Sequence, residues 1–280
     1  MLLRGNGFNN TDIAVKNGVI TNGEAVLKHS DAEILVNTTP CGMFPKLSGM
    51  AADPADFQKA EGVIDVVYNP LKTDFVQRAQ SLGIPAKGGL YMLTMQGIKA
   101  AEYFFDKEIE SRRAEEIFNT IIKRRENIVL TGMPGCGKST VGKLLGIDGF
   151  EFIDTDEEIE KRCGCTIKEL IESKGEKYFR DLETEVIRDV SSKNCRIIST
   201  GGGAVLREEN VKNLKRNGKI FFIDRPLECL IPTEDRPLTS TADAIKKLYA
   251  ERYEIYKCAS DVHVDADGSA ETVAERILKV

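Results

Sequence analysis

No apolar stretch of this chain is long enough to cross a bilayer, and its first residues lack the apolar core of a signal peptide. A basic excess is missing too, because the 280 residues carry a net charge of -5 with both signs mixed along the chain. Proteins that bind nucleic acid usually show a basic patch or stripe. We therefore expect a cytoplasmic protein that binds neither membrane nor nucleic acid.

The sequence also has no paired CxxC motifs, no internal repeat and no low-complexity tract. Its seven cysteines are scattered, and the closest two, Cys163 and Cys165, form a single CxC. Free thiols in a reducing compartment explain this pattern better than a zinc site does. What is present is an ordinary globular composition, with 41% hydrophobic and 30% charged residues. The length predicts about two domains.

A run rich in helix formers over residues 106–126 predicts a helical connector that divides the chain into segments 1–105 and 127–280. After the connector, short apolar runs alternate with helical patterns, which predicts a parallel sheet covered by helices on both faces. The predicted strands there are 127–131, 150–154, 196–200, 219–224 and 261–264, and the predicted helices are 138–145, 175–191, 208–216, 241–258 and 270–278. Before the connector, strands are predicted at 32–40 and 62–70, and helices at 72–83 and 90–105.

The stretch TGMPGCGKST fits the phosphate-binding pattern G-x-x-x-x-G-K-S from Gly132 to Ser139. It lies between a predicted strand and a predicted helix, which is the context this motif needs. Glycines let backbone N–H groups turn toward phosphate, and the helix N-terminus adds a positive dipole end. We predict that Lys138 reaches the β- and γ-phosphates and that Ser139 holds Mg²⁺. The predicted ATP-binding residues are Gly132, Gly135, Cys136, Gly137, Lys138, Ser139 and Thr140.

Two aspartates lie at and just after the end of the second predicted strand of this segment. Asp154 closes the strand and Asp156 lies two residues further on, at the sheet edge where α/β proteins bind ligands. One carboxylate can face the metal and the other can orient an acceptor hydroxyl. The residues alone do not decide which does which, and an acidic helix start is the alternative explanation.

Two further features indicate a second substrate. The glycines of STGGGAV (199–205) follow a predicted strand, so a ligand can approach the backbone closely. Arg180 suits the bidentate capture of a carboxylate. The alternatives are a flexible turn for the glycines and, for Arg180, a surface salt bridge to Glu176 or Glu183.

In combination, these stretches make residues 127–280 resemble the shikimate kinases over essentially their whole length. The matching stretches are GMPGCGKSTVGKLL, FIDTDEEIEKRCGCTIKELIESKGEKYFRDLE, STGGGAV, DRPLTS and AERYEIYKCASDVHVD. The resemblance implies a P-loop kinase domain. It also implies ATP-dependent phosphorylation of the 3-hydroxyl of shikimate, with Mg²⁺ as cofactor.

The resemblance assigns the catalytic group to Lys138, Asp154, Asp156 and Arg236. Asp154 serves the metal side together with Ser139, and Asp156 holds the acceptor hydroxyl. Arg236 lies in a mobile lid and contacts both the ATP phosphate and the substrate. The lid segment before it, LECLIPTED, is shorter than in the family and contains no Arg or Lys for the adenine.

The resemblance also assigns substrate contacts. Arg180 binds the shikimate carboxylate with help from Arg252. Gly202 and Gly203 line the substrate, and Phe179 packs near its ring.

Residues 32–105 resemble the C-terminal part of shikimate dehydrogenase in VNTTPCGMFP, DVVYNPLKTDFVQRAQSLG and GGLYMLTMQGIKAAEYF. The resemblance places Met43 and Gly89 near a nicotinamide cofactor, and Tyr68 and Gln96 against shikimate. A dinucleotide fold needs a Gly-rich turn that this part of the chain lacks, and the family's catalytic domain has no counterpart. We therefore expect a partial, Rossmann-like segment without dehydrogenase activity. Its unpaired sheet edge would favour self-association.

Two other functions stay open. The chain could be a P-loop kinase of another small hydroxy acid such as gluconate, or a non-catalytic regulator that binds shikimate or nucleotide. Arg180 and Arg252 favour a carboxylate ligand without naming it, whereas the intact Lys138 and Ser139 argue against the regulator.

Overall fold

The computed structural model describes residues 2–3, 15–16, 19–20, 29–230 and 242–280. The chain divides into two compact units, Met1–Arg124 and Arg125–Val280. Arg236, which the sequence assigns to the lid, lies outside the described residues. No described helix is both long enough and apolar enough to cross a membrane.

The first unit contains short strands and three described α-helices. The strands are β1 (Leu2–Leu3), β2 (Val15–Lys16), β3 (Val19–Ile20), β4 (Ile34–Asn37), β5 (Gly62–Asp65) and β6 (Ala86–Lys87). The helices are α1 (Asp74–Ser81), α2 (Leu90–Phe105) and α3 (Ser111–Lys123). One sheet has the order β1-β4-β5-β6, with β4, β5 and β6 parallel and β1 antiparallel, while β2 and β3 pair separately.

The core of the first unit forms where Leu35 and Val63 pack with Phe75 and Ala79 of α1. Strands β4 and β5 are shorter than the sequence predicts, because the side chains at their ends redirect the backbone. The carboxylate of Asp65 accepts a hydrogen bond from the Val67 N–H at 2.9 Å. Such local side-chain bonds compete with the ladder and end a strand.

The second unit is built on a five-stranded parallel sheet with the order β11-β10-β7-β9-β8. Its strands are β7 (Asn127–Thr131), β8 (Glu151–Asp154), β9 (Arg196–Ser199), β10 (Gly218–Asp224) and β11 (Val262–Asp265). Its helices are α4 (Lys138–Leu145), α5 (Thr155–Cys163), α6 (Ile167–Lys174), α7 (Glu176–Ser191), α8 (Glu208–Asn217), α9 (Ala242–Ala259) and α10 (Ala270–Leu278). The predicted parallel α/β fold is confirmed.

Alternating residues of the central strand enter two separate cores. Leu130 joins a cluster with residues of α4 and α10, and its neighbour Val129 joins a cluster with residues of α7. Successive side chains of a strand point to opposite faces, so both faces of this sheet are covered. All five carboxyl ends therefore meet at one edge.

The sequence prediction missed helix α6, and it gave α5 only as the acidic helix start that was the alternative explanation for Asp154 and Asp156; α5 does begin there, with an acidic first turn. Both are short, and each buries few apolar side chains, so their helical periodicity is weak. A local signal was nevertheless present. The side chains of Thr166 and Glu169 form a capping box that starts α6.

Candidate active site

The phosphate loop occupies residues 132–137, between the end of β7 and the start of α4. Gly132, Gly135 and Gly137 have φ values of 147°, 80° and 97°, which side chains rarely tolerate. A Cβ on Gly132 would also lie 2.7 Å from the carbonyl oxygen of Ile223. The motif glycines are thus required by the backbone path itself.

Lys138 is buried and folds back over this loop. Its Nζ donates hydrogen bonds to the carbonyl oxygens of Gly132 and Met133, each at 3.0 Å. It also lies 3.8 Å from the Sγ of Cys136, which is buried beneath it. The ammonium group is therefore held at the N-terminus of α4, where a phosphate would be bound. Thr140 and Gly135 are exposed at this end of the helix.

Oxygen atoms from three elements converge beside the loop. The Ser139 hydroxyl donates to Asp154 Oδ2 at 2.6 Å and lies 3.2 Å from the Ser199 hydroxyl. Asp154 Oδ1 accepts from the Asp156 N–H at 3.0 Å, which makes Asp154 the N-cap of α5. Among the described residues, no group of three or more His, Cys, Asp or Glu could hold a metal. One carboxylate with neighbouring hydroxyls fits Mg²⁺, which proteins often hold by one or two carboxylates together with substrate phosphates.

The glycine loop after β9 lies against the side chains that the sequence assigns to the acceptor. A Cβ on Gly201 would be 2.4 Å from Asp156 Oδ1, and a Cβ on Gly203 would be 2.3 Å from Arg180 Nη1. The Gly201 N–H is held by the Thr155 hydroxyl at 3.0 Å. Glycine is therefore needed here so that a carboxylate and a guanidinium can lie directly on the backbone.

Arg180 is fixed from two sides. Nη1 donates to Glu183 Oε2 at 3.0 Å, Nη2 donates to Glu176 Oε1 at 3.4 Å, and Cζ lies 4.9 Å from the centre of the Phe179 ring. The sequence offered a surface salt bridge to Glu176 or Glu183 as the alternative, and both salt bridges are present, although the one to Glu183 is not at the surface because Glu183 is only 1% exposed. A buried carboxylate beneath the guanidinium aims Arg180 at the glycine loop.

Glu183 is a residue whose importance sequence reasoning missed. Burial raises the pKa of its carboxyl, although Arg180 opposes the shift. Its Oε1 has no hydrogen-bond partner among the described residues. The available signal was spacing, since Glu183 shares the buried face of α7 with Val186, Ile187 and Val190.

Helix α9 reaches the same loop from the opposite side. Arg252 Nη1 and the Tyr256 hydroxyl both donate to the carbonyl oxygen of Gly202, at 3.0 Å and 2.5 Å. The structure thus brings Arg252 to the glycine loop, where its partner is a carbonyl oxygen, and its role toward a substrate carboxylate stays a prediction. Tyr256 was not singled out in the sequence, where it reads as a core residue of an amphipathic helix.

A family model described as shikimate kinase matches residues 134–280. The chain belongs to the shikimate kinase family. It is therefore a kinase, and a nucleotide is one of its substrates.

Individual shikimate kinases cover the same part of the chain. The enzyme of Clostridium botulinum (strain Alaska E43 / Type E3) is 44% identical over 161 residues, which is 56% of this chain and 97% of that protein. The solved shikimate kinase of Acinetobacter baumannii, in complex with shikimate, is 32% identical. It covers 57% of this chain and 94% of its own, with a TM-score of 0.54.

Another solved structure has a different name. Shikimate dehydrogenase 1 of Peptoclostridium difficile is 35% identical over 34% of this chain and 35% of its own, with a TM-score of 0.31. At that TM-score the likeness carries no weight here. The dehydrogenase roles assigned to the first unit stay predictions.

The structure of the first unit shows where the residues with predicted dehydrogenase roles lie. The side chains of Met43, Tyr68 and Gln96 are exposed. Gly89 is buried at the start of α2, and a Cβ there would lie 2.0 Å from the carbonyl oxygen of Val66. Close packing of the start of α2 against the backbone just after β5 is a sufficient reason for a glycine at this position.

Proposed function

We propose that the second unit transfers the γ-phosphoryl group of ATP to the 3-hydroxyl of shikimate, giving 3-phosphoshikimate and ADP. One observation carries the proposal: the phosphate loop and the acceptor loop are joined by a short chain of contacts. Ser139 touches Asp154, Asp154 caps the backbone of Asp156, and the carboxylate of Asp156 lies against Gly201. Phosphoryl transfer depends mainly on such positioning and on charge neutralisation.

The two aspartates take different roles in this proposal. Both carboxylate oxygens of Asp154 are engaged, one by the Ser139 hydroxyl and the other by the Asp156 N–H. This supports Asp154 as the carboxylate that, with Ser139, would hold Mg²⁺. When bound, Mg²⁺ neutralises charge on the phosphates. Asp156 then orients the acceptor hydroxyl and takes its proton.

Two cationic side chains act at opposite ends of the acceptor site. Lys138 exchanges its two carbonyl partners for the β- and γ-phosphate oxygens, where charge-assisted hydrogen bonds are stronger. Arg180, aimed by the buried Glu183, presents its planar fork to the shikimate carboxylate. Gly202 and Gly203 let the substrate approach the backbone, with Arg252 beside them.

A coupled assay of ADP release tests this function against its alternatives. The purified chain is mixed with ATP and Mg²⁺, and shikimate, gluconate or no acceptor is added. We expect rapid ADP release with shikimate and only background release in the other two mixtures. Equal rates with gluconate would identify another hydroxy-acid kinase, and shikimate binding without ADP release would identify a regulator.

We also propose that residues 1–105 do not reduce dehydroshikimate. Hydride transfer needs cofactor and substrate held together in near-attack geometry. The exposed Tyr68 and Gln96 supply at most half of such a pocket. Mixing the protein with shikimate and NADP should give no reduced cofactor above an enzyme-free blank. Formation of reduced NADP above that blank, by an activity that co-purifies with the chain, would contradict the proposal. Self-association through this unit stays a prediction.

A further inference from the structure

Tyr256 is a large, fully buried side chain that contacts the acceptor loop. It is 0% exposed, and its ring stacks on Phe222 with centroids 5.4 Å apart. Its hydroxyl donates to the Gly202 carbonyl oxygen at 2.5 Å. Burial raises the pKa of Tyr256 to about 12, so this hydroxyl keeps its proton and remains a donor at any ordinary working pH.

The Gly202 carbonyl has a second donor, Arg252 Nη1, at 3.0 Å. A carbonyl oxygen offers two lone pairs, so these two donors fill its capacity. On its other side Gly202 lies against the phosphate loop, because a Cβ there would be 2.9 Å from Pro134 Cγ. The acceptor loop is thus held between the phosphate loop and α9.

Arg252 consequently has two tasks under the proposed function. It donates to the Gly202 carbonyl in this structure, and it assists Arg180 in binding the substrate carboxylate. If Arg252 were the sole donor to this carbonyl, each movement toward a carboxylate would leave a buried acceptor unsatisfied. A second donor that does not move removes this conflict.

We propose that Tyr256 is a positioning residue for the acceptor: its hydroxyl holds the Gly202 carbonyl and thereby releases Arg252 to the substrate carboxylate. The inference rests on the proposed function. Tyr256 itself contacts neither phosphate nor acceptor. Its contribution appears only when a carboxylate draws on Arg252.

Helix α9 supplies a matched control in Tyr253. Its ring lies 5.7 Å from the same Phe222, and its hydroxyl donates to Asp224 Oδ2 at 2.9 Å. The bond to Asp224 raises its pKa to about 12 as well. Tyr253→Phe and Tyr256→Phe therefore remove the same atom from the same helix, and only the second removes a donor from the acceptor loop.

The test measures steady-state kinetics of the full chain and of both variants, with shikimate and with its methyl ester as acceptors. For Tyr256→Phe we expect the KM for shikimate to rise about tenfold, in line with an unsatisfied buried acceptor. The KM for ATP and the thermal midpoint without ligand should match those of Tyr253→Phe. Because the ester has no carboxylate to recruit Arg252, its kcat/KM should fall less than twofold.

The proposal is overturned if Tyr256→Phe and Tyr253→Phe have the same KM for shikimate, or if Tyr256→Phe raises the KM for ATP as much as the KM for shikimate. It is also overturned if the methyl ester loses as much kcat/KM as shikimate does, since that would indicate a purely structural hydroxyl. Failure of the proposed function looks different, because the wild type and Tyr253→Phe would then show no shikimate-dependent turnover. The positioning role would fall with it.

Discussion

Both units place polar side chains at the carboxyl ends of parallel strands, but among the described residues they differ in how fully the polar groups around those ends are bonded. In the first unit, Asn37 and Asp65 end β4 and β5 and are almost fully buried. Asp65 accepts from the Asn37 amide at 3.0 Å and from the Thr73 hydroxyl at 2.6 Å. The Val67 N–H adds a third bond at 2.9 Å. The polar groups at this edge thus satisfy one another's hydrogen bonds.

Beside the carboxyl edge of the second unit, polar groups have incomplete hydrogen bonding. Glu183 Oε1 is buried without a hydrogen-bond partner among the described residues. The Nζ of Lys138 lies against two carbonyl oxygens and the Cys136 Sγ, and none of these three partners is a carboxylate. A buried polar group without a partner is costly, so such groups favour a ligand that completes them. The carboxyl edge of a parallel sheet is therefore present in both units, and buried polar groups with incomplete hydrogen bonding are what distinguish the candidate site in the second.

The largest expected effect comes from removing the amine of Lys138 beside the edge of the second unit. Lys138→Ala should lower kcat for shikimate-dependent ADP release at least about 100-fold, because one electrostatic stabiliser of the transferring phosphoryl group is lost. Lys143→Ala is the control on the same helix, since Lys143 is exposed and lies 3.8 Å from Glu157. Unchanged turnover in Lys138→Ala would remove the loop from the mechanism.

The next effect concerns geometry at constant charge. Arg180→Lys should lower kcat/KM for shikimate by roughly 10-fold to 100-fold, the range for losing a charge-assisted hydrogen bond, because an ammonium cannot form a two-pronged contact. The KM for ATP should stay near the wild-type value. Arg162→Lys is the control, because Arg162 also bridges two carboxylates, Glu158 and Asp189, away from the site. Equal weakening of both substrates would argue against the carboxylate role.

A smaller effect should appear in the pH dependence of stability. Burial raises the folded-state pKa of Glu183 above its ordinary value of 4.5. A carboxyl with a raised pKa contributes stability that is fully present below the unfolded pKa and is lost as pH rises through the folded pKa. Relative to Glu183→Gln, the wild type should therefore lose free energy of unfolding as pH rises from 4.5 toward neutrality.

Urea titrations at several pH values measure this difference. Glu185→Gln is the control, because Glu185 is exposed on the same helix. A wild-type-minus-Glu183→Gln difference that is flat or rises with pH would show that the buried carboxyl is not the cause.

The smallest effect on activity is expected at the first edge. Asp65→Asn should leave shikimate-dependent turnover within about twofold of the wild type, because the hydrogen bonds described for Asp65 go to Asn37, Val67 and Thr73 of its own unit. It should nevertheless destabilise the first unit, since the side chains and backbone around it lose a charged acceptor. Proteolysis within residues 29–124 measures that loss. A large fall in kinase activity would mean that the two edges are not independent.

Local pattern predicted the parts of the fold that depend on neighbours in the chain. The bounds of β7 and α4 and the positions of Asp154 and Asp156 at the edge followed from apolar runs and glycine spacing. Helix α6 was missed, and α5 was given only as an acidic helix start, because their apolar faces are small. The contact of Tyr256 with Gly202 joins residues far apart in the chain, so no local pattern contains it.

Phosphorus NMR of the reaction mixture is the most direct test of phosphoryl transfer to shikimate, because it reports both that the phosphoryl group moves and where it goes. With ATP, Mg²⁺ and shikimate, the signals of ATP should be replaced by those of ADP and of a single phosphomonoester coupled to the ring proton at carbon 3. Inorganic phosphate as the only new species beside ADP, or an ester at another hydroxyl, would contradict transfer to the 3-hydroxyl.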